Sequence, residues 1–203
     1  MKKTLNAMTF GIIVFMLSIM ASCSGDKHKG ETISHEDHAT ANDEEVVVQS
    51  PQFEVDKAFQ DQLANVFTEY IGLKDAFVDS QVELVKKEAS SLIQAVAKVD
   101  MKLVTGAAHN DWMAFLSPIQ KSLNEIQGST DIEEQRRSFS TLSDNLYKSI
   151  RAFGLGGKEA YYEYCPMAFN NEGAYWLSDE EKIRNPYFGE KMLTCGTVKE
   201  KLK

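Results

Sequence analysis

No cluster of Lys or Arg stands out in this 203-residue chain, whose formal charge is −8. Binding a phosphate backbone calls for a basic patch, so nucleic acid is excluded as a partner class, and cations are the more natural ligands. The chain also lacks a CxxC redox pair, a CxxCH haem attachment, an HExxH zinc helix and a glycine-rich phosphate loop. Carboxylates such as Glu133 and Glu134 are plentiful, but none forms a distinct acid/base pair, and a solvated helix face accounts for them. These absences argue against an enzyme. The apolar run at residues 10–20 is shorter than the roughly 20 residues needed to cross a bilayer, so no integral span is expected there.

That run instead has the length of an export-signal core, and Lys2 and Lys3 precede it as a positive n-region. The tetrad Met20-Ala21-Ser22-Cys23 resembles the lipobox, in which small residues precede a cysteine that is acylated and becomes the new N-terminus. The expectation is a lipoprotein signal peptide over residues 1–22 and a lipid anchor on Cys23. The protein would then sit in the cell envelope, on the periplasmic side of a membrane or on the outer-membrane surface. Residues 23–50 lack apolar periodicity and are rich in Asp, Glu, His, Ser and Thr, the composition of a polar tether. Within it His28, His35, Glu36, Asp37 and His38 could gather a metal weakly, although a solvated linker explains them as well.

From residue 51 the pattern becomes helical. Phe59, Leu63, Val66, Phe67, Tyr70, Phe77 and Val78 recur three or four apart, as do Val85, Ala89, Leu92, Ile93, Val96 and Val99. Ser80-Gln81-Val82-Glu83 reads as a capping box for the second helix. Trp112, Leu116, Ile119, Leu123 and Ile126 mark a third, which Pro118 should kink or restart, with Ser117 and Gln120 capping the restart. Thr130 with Glu133 should cap a fourth, carrying Ile132, Phe139, Leu142, Leu146, Ile150 and Phe153 before Gly154, Gly156 and Gly157 stop it. The expected fold class is all-α: an up-down four-helix bundle over residues 51–203. Its C-terminal part, from about residue 158, reads as an irregular Cys/Met-containing cap with room for a small β-hairpin turning at Asn170-Asn171-Glu172-Gly173.

With Cys23 assigned to lipid, Cys165 and Cys195 are the only remaining thiols, and each has a methionine close by, Met167 and Met192. Pro166 favours an extended chain at Cys165, which would point Cys165 and Met167 to the same side. The three-residue spacing from Met192 to Cys195 suits one face of a helical turn. Thiolate and thioether are soft donors suited to Cu(I), or by analogy Ag(I), and His109 could add a nitrogen. The alternative stays open at this point: Cys165 and Cys195 joined as a disulfide in an oxidising compartment, the methionines filling core gaps, and His109 structural.

Four motifs in order carry a resemblance: Tyr164-Cys165-Pro166-Met167-Ala168, Gly173-Ala174-Tyr175-Trp176-Leu177-Ser178, Ile183-Arg184-Asn185-Pro186-Tyr187-Phe188-Gly189 and Met192-Leu193-Thr194-Cys195-Gly196. With Tyr70 to Ala76, His109-Asn110-Asp111-Trp112-Met113 and Glu134 to Phe139 upstream, they span roughly residues 55–200. In these the chain resembles an uncharacterised bacterial domain family, a domain of unknown function. Its members occur as stand-alone envelope lipoproteins and fused to periplasmic adaptor subunits of Cus-type copper/silver efflux pumps. The Cys-Pro-Met and Cys-Gly elements are also similar to small heavy-metal-binding domains, but the histidine and second cysteine pair of those domains are missing here. The family resemblance implies a place in copper or silver homeostasis. It makes Cys165, Met167, Met192, Cys195 and His109 the candidate ligands, the membrane and an efflux-pump adaptor or other envelope protein the candidate partners, and Trp176, Asn185, Pro186, Tyr187 and Gly189 the scaffold. A disulfide-stapled interaction module without metal is the alternative.

Overall fold

A computed structural model of the chain describes residues 47–203; the expected export signal, Cys23 and nearly all of the expected tether lie outside the described residues. Four long helices dominate: α1 (Lys57–Val78), α2 (Val82–Ala97), α3 (Gly106–Gly128) and α4 (Ile132–Phe153). Each packs chiefly against its neighbour in sequence. The apolar stripes predicted from spacing are the buried ones. Phe59, Leu63, Tyr70, Phe77, Leu92, Ile119, Leu123, Phe139 and Phe153 are fully enclosed, at about 1.5–3 kcal/mol for each large side chain removed from water. Trp112 meets Phe59 and Phe153 edge-on at 5.4 and 6.3 Å at one end of α4, while Phe139 packs on Tyr70 and Phe77 nearer the other.

The caps differ from those expected. Ser80 has φ +56 and caps nothing. Gln81 takes the N-cap of α2 without a side-chain bond, and Ser80 Oγ instead accepts from Arg136 Nη2 at 2.9 Å. Asp131, one residue past Thr130, caps α4 by accepting from the Glu133 amide at 2.8 Å, because a carboxylate fits a helix start better than a hydroxyl one residue too early. Pro118 neither ends nor restarts α3, which runs through it to Gly128. The packing of Leu116, Ile119 and Leu123 outweighs the one lost backbone bond.

The larger correction concerns the C-terminal part. The chain is mostly helical, but it is not all-α. Strands β1 (Val47–Gln49), β2 (Ala160–Cys165), β3 (Ala174–Ser178) and β4 (Thr197–Leu202) form one sheet in the order β1-β4-β2-β3. β2 is antiparallel to both β3 and β4, and β1 joins the far edge parallel to β4. The hairpin from β2 to β3 turns through the short helix α5 (Ala168–Asn171), where Phe169, Asn170 and Asn171 all have positive φ. β1 falls within the stretch read as tether, and Phe53 then stacks on Phe153 at 5.6 Å.

Alternation along β2 and β3 sorts the sheet's two faces. Tyr162, Tyr164 and Tyr175 stack with Tyr147 of α4 in a column with centroid spacings of 3.7, 4.7 and 4.4 Å. The opposite face carries Glu163, Cys165 and Trp176, all fully buried. The outer edge of β3 is closed by side chains: the Leu177 amide donates to Tyr70 Oη at 3.1 Å, and the Tyr187 hydroxyl donates to the Tyr175 carbonyl. Such edges otherwise invite strand pairing from other chains.

Candidate sulfur site

Cys165 is the last residue of β2, and its side chain points into the core with no exposed surface. Cys195 reaches it from the loop between β3 and β4. Asn185, itself fully buried, organises that loop by three bonds: its amide donates to the Leu193 carbonyl at 2.8 Å, its Nδ2 donates to the Cys195 carbonyl at 2.7 Å, and its Oδ1 accepts from the Tyr187 amide at 2.8 Å. Gly196 then lets the chain pass Trp176 closely. A Cβ there would lie 2.8 Å from the Trp176 ring and 3.1 Å from the Tyr164 carbonyl, at a φ of +151. The result is a pair of free thiols with sulfurs 3.0 Å apart.

The Cys195 pKa is pushed up to about 11, first by its hydrogen bond with Cys165 and then by burial. A disulfide of about 2 Å requires the sulfurs to approach by roughly 1 Å. A metal ion about 2.3 Å from each sulfur at a trigonal angle requires about 4 Å, so they must separate by a similar amount. The pair is therefore poised between both outcomes.

The methionines line a pocket of which neither cysteine forms a wall. Beyond Cys165 the chain turns instead of staying extended. Met167 adopts φ −90 and ψ −10, and its side chain is 45% exposed. Met167 and Met192 line an open pocket of about 450 Å³ together with Glu133, Arg137, Phe169, Tyr187 and Phe188; neither cysteine lines it. Arg137 lies over the Phe169 ring at 4.8 Å. The structure thus shows a thiol pair in which Cys165 is buried and Cys195 half-buried, and two thioethers that line one pocket.

His109 is elsewhere. It stands one turn before Trp112, which packs on Phe153 at the C-terminal end of α4, whereas the methionine pocket includes Glu133 at the N-terminal end. The helical rise between those two residues is about 30 Å, so His109 is not brought to the sulfurs. No group of three or more His, Cys, Asp and Glu that could hold a metal occurs among the described residues.

Residues 66–158 match one family. Its model is described as a protein of unknown function (DUF3347). The matched stretch runs from the middle of α1 to just before β2, so it contains His109 and ends short of all four sulfurs. No curated protein and no solved structure matches the chain. The chain is thus similar, over its helices, to an uncharacterised domain.

Glu163 escaped the sequence reading. It lies two residues before Cys165 on the same strand face, and neither carboxylate oxygen has a hydrogen-bond partner among the described residues. Trp176, its cross-strand neighbour, has an equally unpartnered Nε1. Burial raises the Glu163 pKa to about 8, against a lowering by buried Lys74 and by the nearby Trp176. The available signal was a lone acid inside the aromatic run 160–165, in phase with a cysteine that must face inward.

Proposed function

We propose that this chain is a lipid-anchored envelope protein that binds a soft monovalent ion, Cu(I) or Ag(I), and holds it or hands it to a heavy-metal efflux system. The observation that carries this reading is the 3.0 Å approach of Cys165 to Cys195, with Met167 and Met192 paired at a pocket within three residues of them. Two thiols form the inner clamp, and the thioethers, one of them 45% exposed, suit a first landing point for the ion. In this reading the helices alternate as an up-down bundle and serve to hold the sulfur-bearing sheet. Cys23 supplies the anchor, and the partner is an efflux-pump adaptor or another envelope protein.

Binding must displace thiol protons, so affinity should rise with pH. The test is titration of the reduced chain with Cu(I) against a competing chelator. The Cys165→Ser/Cys195→Ser variant should lose more than the roughly 100-fold that removing an outer-shell partner costs a metal site. Equal binding by the two proteins would overturn the proposal.

A second reading is favoured by the same short contact and by the complete burial of Cys165: a disulfide between Cys165 and Cys195 that staples an interaction module without metal. Mass spectrometry of protein isolated from its native compartment under alkylating conditions separates the two. A mass two hydrogen atoms lighter, with no thiols to alkylate, supports the staple.

A further inference from the structure

Apart from Met167, the large apolar side chains left exposed among the described residues are Met101, at 41%, and Met113, at 40%. Leu, Ile, Phe and Trp are kept in, and thioethers are what remains outside. Met113 belongs to α3 and follows His109 by four residues, so both side chains rise from one face of the helix with Cβ atoms about 5–6 Å apart. They flank the buried Trp112–Leu116 stripe, His109 half-buried and Met113 open to solvent. The His109 ring makes no hydrogen bond or ion pair among the described residues.

We infer that His109 and Met113 form a second soft-metal site for Ag(I) or Cu(I), separate from the cysteines. The imidazole and the thioether are neutral donors, one borderline and one soft, and a thioether has little affinity for Ca or Mg. One helical turn holds them side by side, so a single ion can be gripped by both without any backbone movement. Neither donor has to lose a proton from a thiol, and neither is affected if Cys165 and Cys195 oxidise. The site lies about 30 Å along α4 from the methionine pocket, so the two load independently. This inference does not rest on the cysteine clamp.

The test is a titration of the purified chain, labelled with 13C at its methionine methyls, with silver nitrate, following the methyl signals of Met101, Met113, Met167 and Met192 and the histidine ring signals by NMR. The Met113 methyl and the His109 ring should shift together at the same silver equivalents, and should do so unchanged in Cys165→Ser/Cys195→Ser. His109→Gln should abolish the Met113 shift, and Met113→Leu the His109 shift, with the other signals in place to show that the fold is intact. A Met113 methyl that stays still under excess silver, or that responds equally in His109→Gln, would overturn the inference. Met167 and Met192 report the other site in the same spectra, so failure of one site is read separately from failure of the other.

Discussion

Glu163 ought to make this domain lose stability as the solution becomes more basic. Its carboxyl is fully buried, with neither oxygen hydrogen-bonded among the described residues, and its pKa rises from the ordinary 4.5 to about 8. Desolvation is the main cause. Asp179 and Glu180 add to it, while Lys74, whose ammonium pairs with Asp75 at 3.2 Å, and Trp176 oppose it. Below pH 4.5 both the folded and unfolded chains carry the proton, and Glu163 contributes no pH dependence. Between 4.5 and about 8 the unfolded chain gives up the proton that the folded one keeps, so stability falls with rising pH. At about 1.4 kcal/mol per tenfold change, the loss reaches about 5 kcal/mol once both states are ionised, a large part of a typical domain's total. Urea unfolding of the wild type and of Glu163→Gln at a series of pH values from 5 to 9 is the assay. The wild-type curve should slope down across that range, and the variant, which cannot ionise there, should be flatter by most of that 5 kcal/mol. The amide adds its own burial cost, but that cost is the same at every pH. Parallel curves for the two proteins would refute the reasoning.

Arg136→Ala should destabilise by about 3 kcal/mol in the same assay, since the carbonyls of Pro186 and Phe77 and the Ser80 hydroxyl would all lose the guanidinium that now serves them from a site 5% exposed. By contrast, loss of the exposed Lys57–Asp61 pair should cost no more than about 0.5 kcal/mol. Gly189→Ala should cost more than about 2 kcal/mol, because φ is +57 and the new Cβ would stand 2.6 Å from the Val78 carbonyl oxygen. Gly128→Ala is the control: nothing lies within 4 Å, so thermal melts should show no loss.

The helices were legible because their signal is local and repeated. Phe59 to Val78 and Ile132 to Phe153 place an apolar residue at nearly every turn, and burial follows that stripe. The sheet was less legible, since its strands are three to six residues long and β4 reads as alternating Lys and Glu, with nothing local to mark it as central. Its place is set by β2, which is too distant in sequence for any window to register. The approach of Cys165 to Cys195 could be foreseen as a pairing because no other thiol remained. The divergence of Met167 could not, because it depends on the left-handed turn at Phe169 and Asn170, unusual for residues other than glycine. His109 was drawn to the sulfurs by its chemistry alone, and the length of α4 separates them.

A sheet border whose outward backbone groups already have side-chain partners resists pairing with a strand from a neighbouring molecule. The β3 border is held in this way by two phenol groups, from Tyr70 and Tyr187, whereas the three residues of β1 are themselves the strand at the other border. Where many copies crowd together, backbone pairing is therefore obstructed along β3. The less protected border is β1. If copies were ever to exchange segments, the exchange would begin there, with one chain's Val47–Gln49 lying along another's β4.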